Sequence, residues 1–135
     1  GVKNVCVMLV TNGATLTAGQ NLVALYNSGG TQIGSTSADQ SGAWSAGAPK
    51  LVAAQISAGG VTVSPPFVVV ATLVNGTTAP FFGRGFSNPG VNGNLLATDV
   101  FKWSNSPAAG NTSLPGSLPL TTYNAQQNAV WVGLS

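Results

Sequence analysis

Histidine and glutamate are both missing from this chain of 135 residues, and charged side chains make up only 4% of it, against an ordinary ~25%. The cations are Lys3, Lys50, Arg84 and Lys102, and the anions are Asp39 and Asp99. Without histidine, Ser–His–Asp and Cys–His nucleophile chemistry is excluded. Hydrolysis by paired carboxylates needs two acids within about 5–10 Å. Asp39 is instead placed to cap a short turn, accepting hydrogen bonds from free backbone amides. Asp99 lies in an otherwise apolar strand, where it would pair with Arg84 or Lys102. A zinc site would have to draw on one cysteine and two carboxylates, and there is no Asp-rich loop for calcium. The expectation is a protein with no catalytic residues, no metal and no cofactor. The single cysteine, Cys6, cannot form an internal disulfide and is expected as a small buried hydrophobe. A net charge of +2 from scattered cations makes no basic patch for nucleic acid. No apolar run, Phe67 to Ala71 included, comes near the ~18–20 residues of a spanning helix, so membrane insertion is not expected.

Helical periodicity is also lacking, because Gly and Pro interrupt every long segment. Strand-like segments recur instead: Asn4 to Val10, Asn21 to Asn27, Thr31 to Ser35, Lys50 to Ile56, Phe67 to Val74, Pro80 to Phe86, Leu95 to Trp103 and Asn128 to Leu134. Short strands at such spacing predict an all-β antiparallel sandwich of jelly-roll or immunoglobulin-like kind, with about eight or nine strands. Both faces of Asn4 to Val10 are apolar, which predicts a central strand covered on both sides. The β-branched run of Phe67 to Val74 also predicts a central position. Thr11 to Gly19 and Asn105 to Pro119 are expected as loops. Ser28-Gly29-Gly30 and Asn75-Gly76 are expected as hairpin turns, and Ala38 to Trp44 as an irregular, partly helical piece whose Trp44 plugs the core. A single domain over residues 1–135 follows. The absent initiator Met and the immediate entry into a strand suggest a fragment or processed product lacking earlier strands.

Solubility here has to come from Ser, Thr, Asn, Gln and Gly, a surface typical of secreted or virion-borne β proteins. One positive site presents itself. Trp103, Tyr123 and Trp131, with Asn and Gln neighbours, are candidates for a glycan platform, which needs aromatic faces flanked by amide hydrogen bonders. The competing assignment is that these rings fill or close the core. Asn75-Gly76-Thr77 and Asn111-Thr112-Ser113 match the glycosylation sequon, but a chain this rich in Asn, Ser and Thr produces such matches by chance.

Leu16-Thr17-Ala18-Gly19-Gln20-Asn21-Leu22-Val23-Ala24-Leu25-Tyr26-Asn27, then Gly34, then Ala38-Asp39-Gln40-Ser41-Gly42-Ala43-Trp44, resembles a β-sandwich module of tail and other virion proteins from phages of actinobacteria. Phe67 to Val74 followed by Asn75-Gly76-Thr77-Thr78-Ala79-Pro80, the piece Phe82-Gly83-Arg84-Gly85 and the ending Asn128-Ala129-Val130-Trp131-Val132-Gly133-Leu134 look like the same module. The quoted positions are turns and core residues, so they mark a scaffold. The resemblance implies a non-enzymatic minor tail, fibre or decoration-type protein of the virion. Its partners would be further copies of itself and other virion proteins, and it would contact a host cell-surface glycan if it also binds the receptor. The alternative is a carbohydrate-binding module that recognises cell-envelope glycans.

Overall fold

The computed structural model describes residues 1–83, 104–105, 110–120, 124–125 and 132–135. Its elements, in chain order, are β1 (Asn4–Thr11), β2 (Ala14–Leu16), β3 (Leu22–Asn27), β4 (Gln32–Ser35), α1 (Ser41–Trp44), β5 (Lys50–Gln55), β6 (Val68–Leu73), β7 (Gly76–Thr78), β8 (Phe81–Phe82), β9 (Ser104–Asn105), β10 (Asn124–Ala125) and β11 (Val132–Leu134). The fold is an all-β antiparallel sandwich. One sheet has β1 at its centre, paired with β5 on one side and with β11 and then β8 on the other; the second runs β4–β3–β6. Two ribbons, β2–β7 and β9–β10, complete the pairing.

The core lies between the two sheets. Val5, Val7 and Leu9 of β1 and Val52 and Ala54 of β5, with Ile56 just beyond it, meet Val23 and Leu25 of β3, and Trp44 closes one end. Because side chains alternate across a strand, one register slip would turn this whole apolar set outward. The six-residue ladder from Asn4↔Gln55 to Leu9↔Lys50 holds that register.

Four expectations need correction. β1 is central in its pairing but covered on one face only: Met8 is 36% and Val10 48% exposed, and Cys6, on their face, is half-buried. The strand buried on both faces is β3, whose Val23, Ala24, Leu25 and Tyr26 are all fully buried. Residues 110–120 are fastened to its sheet: the Tyr26 hydroxyl donates to the Pro115 carbonyl at 2.7 Å, and the Gln32 amide of β4 donates to Gly116 O at 2.9 Å. This part of the expected Asn105 to Pro119 loop is therefore fastened to its own domain. β6 lies at the end of its sheet among the described residues, where it pairs with β3 alone. Finally, Asn75-Gly76 is not a hairpin turn. Gly76 opens β7 opposite Leu16, inside the segment expected as a loop. A Cβ at Gly76 would lie 2.8 Å from Leu16 Cα, so glycine is needed there for close approach. The Ser28-Gly29-Gly30 turn does form, and Gly30 has a φ of +82°. The described parts of Leu95 to Trp103 and Asn128 to Leu134 are limited to the last strand, and their other residues lie outside the description.

Candidate functional site

Trp103, Tyr123 and Trp131 lie outside the described residues, as do Asp99, Arg84 and Lys102. The backbone shortly after Trp103 and after Tyr123 is paired, with Asn124 opposite Asn105 and Ala125 opposite Ser104. The two residues expected to be structural, Asp39 and Trp44, are both described.

Asp39 does not occupy the helix cap. Gln40 does, and it makes no side-chain capping bond. The Asp39 carboxylate accepts the Asn21 amide at 3.0 Å. Burial pushes its pKa up, but hydrogen bonds from the Ser41 hydroxyl and the Asn21, Gly19 and Ser41 amides outweigh this and hold it below the ordinary aspartate range. A carboxyl whose pKa is lower in the folded chain than in the unfolded one stabilises above the unfolded value and loses that contribution as pH falls through the folded one. Denaturant titrations from pH 6 to pH 2 should show wild type losing stability relative to Asp39→Asn below about pH 4. Parallel curves across that range would remove Asp39 from the folding balance.

Asn21 is the residue that sequence reading passed over. It is fully buried and every polar group on it is engaged. Its side-chain NH2 donates to Thr17 O at 2.7 Å and to Ser41 Oγ at 2.9 Å. Its Oδ1 accepts the Asn75 amide at 3.1 Å, and its carbonyl accepts the Gln40 amide at 2.7 Å. Asn75 in turn donates through Nδ2 to Gln20 Oε1 at 3.1 Å and to Asn111 O at 2.7 Å. That amide is therefore tied into the fold, in the sequon whose match was put down to chance. The cluster joins β3, α1, the β6–β7 link and residues 110–120. Its only ionisable member is Asp39, whose carboxylate accepts the Ser41 hydroxyl. Among the described residues no group of three or more His, Cys, Asp or Glu side chains is placed to hold a metal ion, and no helix is long and apolar enough to cross a membrane.

Among the described residues a group of large apolar side chains is exposed. On the outer face of the β1 sheet stand Met8 and Val10, with Leu51 directly opposite Met8 and Phe81 opposite Thr11 at the sheet's side. Leu51 is 57% and Phe81 60% exposed. Val10, Thr11, Phe81, Phe82 and Gly83 line a shallow open depression of about 470 Å³. The alternation that buries Val5, Val7 and Leu9 necessarily presents Cys6, Met8 and Val10 on the other side, and polar residues would be the usual choice for a solvated sheet face. Single exposed apolar residues are ordinary on proteins; a contiguous group marks a contact surface. No protein-family model, curated protein or solved structure matches this chain.

Proposed function

We propose that this chain is a non-enzymatic structural module of a phage virion, of minor tail, fibre or decoration type, which works in repeated copies alongside other virion proteins and sits on the outside of the particle. The observation that carries this reading is the uncharged, contiguous apolar face of Met8, Val10, Leu51 and Phe81. A chain with so little charge gains colloidal protection by placing such a surface against a neighbour. The scaffold resemblance over residues 14 to 135 supports the same reading. So does the use of the polar cluster around Asn21 to lock loops together. The module would contact the host surface where the particle meets the cell.

The test is antibody labelling and protein mass spectrometry of purified particles from a phage that encodes the chain. Labelling at a discrete virion location in many copies is expected. Absence of the chain from intact particles would overturn the reading. Glycan-array binding by the isolated chain, abolished by Trp103→Ala or Tyr123→Ala, would shift the assignment to the carbohydrate-binding alternative.

A further inference from the structure

Three of the outer edges of the two sheets, β4, β5 and β6, are treated differently. The edge of β4 is taken by the segment after Gly110, through the Gln32 amide on Gly116 O and the Thr31↔Ser117 bridge. The edge of β5 opens on Pro49 and Lys50, two residue types that discourage strand addition. The edge of β6 has no covering segment among the described residues and no lysine, and its prolines, Pro65 and Pro66, stop short of the strand, with Phe67 between them and Val68. No charged residue occurs between Leu51 and Gly83, and no described residue pairs with that side of β6.

The direction of its backbone groups can be worked out. On β3, Val23 O accepts the Thr36 amide and the Asn27 amide donates to Thr31 O, so the odd-numbered residues turn their backbone groups toward β4. Along a strand these directions alternate, and Ala24 and Tyr26 therefore turn toward β6. They stand opposite Ala71 and Val69. Val69 and Ala71 thus point back to β3, while Val68, Val70 and Thr72 present their N–H and C=O groups on the side that no described residue pairs with.

We propose that this edge pairs antiparallel with the same edge of a second copy, about a two-fold axis at Val70. The inference deepens the repeated-copy reading above and rests on it. With Val70 opposite Val70 of the second copy, Val68 faces Thr72 of the second copy and the reverse. Every outward N–H and C=O of the three residues then has a partner. Directly opposed residues share a face, so Phe67, 53% exposed just before the strand, falls beside Leu73 of the second copy. No like charges meet, and the β4–β3–β6 sheet continues into that of the second copy as one six-stranded layer.

Sedimentation velocity and amide hydrogen exchange on the full chain, each across a concentration series, test this. The sedimenting mass should double as concentration rises. The amides of Val68, Val70 and Thr72 should become protected in step, while those of Val69 and Ala71 stay protected throughout. Thr72→Pro removes an outward N–H and no bond to β3, and should raise the dissociation midpoint about tenfold or more. Val68→Pro, at the first residue of the strand, gives a second block if Thr72→Pro fails to fold. A dimer whose outward amides stay unprotected, or whose midpoint neither variant moves, overturns the β6 assignment and leaves self-assembly standing. A monomer at every concentration overturns both.

Discussion

Truncating Trp44 to alanine should cost about 3–5 kcal/mol of stability, the range for emptying a large aromatic site in a packed core. Trp44 is fully buried, and its ring meets Phe82 edge to face, with centroids 5.2 Å apart and planes at 76°. That contact joins α1 to β8, and through β8 to the end of β1. The one-turn helix that delivers the ring is held mainly by backbone bonds: the Trp44 amide on Gln40 O at 2.9 Å and the Gly13 amide on Trp44 O at 2.8 Å. A helix of four residues has no stability of its own, so the ring and its burial keep the turn in place. The indole N–H is buried with no hydrogen-bond partner among the described residues. An unpaired buried donor costs free energy, so Trp44→Phe should cost clearly less than Trp44→Ala. Denaturant melts of the two variants decide the matter. Equal losses would mean that the indole N–H is not a penalty, and Trp44→Ala near wild type would mean that the ring does not hold the sandwich end.

Much of the sandwich was legible because alternation is a local property. Val5, Val7 and Leu9 read as one face, and Val23 and Leu25 as another, without knowledge of what each packs on. Trp44 as a core plug was legible from its size and from the turn residues before it. What alternation does not report is which apolar face finds cover. Cys6, Met8 and Val10 look as hydrophobic as their neighbours, and only the arrangement of distant strands leaves them outside. The two-faced burial of β3 was hidden for the same reason, since what Tyr26 meets there, Pro115, lies 89 residues further along the chain. The β2–β7 ribbon was missed because three residues carry too little pattern and because Asn75-Gly76 imitates a hairpin turn. Asp39 was recognised as an acceptor of free backbone amides, and the Ser41 amide at the start of α1 is one of its partners. The Asn21 amide is the one out of reach of sequence reading, because it lies 18 residues earlier, across a pairing that local sequence does not encode.

Removing the Asn21 side chain should be nearly as damaging as removing Trp44, though nothing apolar is lost. Asn21→Ala should cost about 2–4 kcal/mol, because three partly buried hydrogen bonds are lost together, each with a net worth of about 0.5–1.5 kcal/mol, and the fully buried site of the amide is emptied. The partners are Thr17 O, Ser41 Oγ and the Asn75 amide. They belong to the β2–β3 loop, α1 and the β6–β7 link, so the loss should also loosen residues 110–120 through Asn75 and Asn111. Asn21→Asp separates polarity from shape. The new carboxyl keeps an acceptor for the Asn75 amide but turns an oxygen toward Thr17 O, 2.7 Å from the nitrogen it replaces, and sets a second carboxylate near Asp39. Burial and like charge both raise its folded pKa above the unfolded value. A raised carboxyl pKa makes the variant recover as pH falls through that value, because the protonated group can again donate to Thr17 O. Wild type should move the other way, through Asp39. Stability measured against pH for wild type, Asn21→Ala and Asn21→Asp should therefore give curves of wild type and Asn21→Asp that converge on acidification, with Asn21→Ala low throughout. If Asn21→Ala melts with wild type, or Asn21→Asp runs parallel to wild type from pH 7 to pH 3, the buried amide does not hold these loops together.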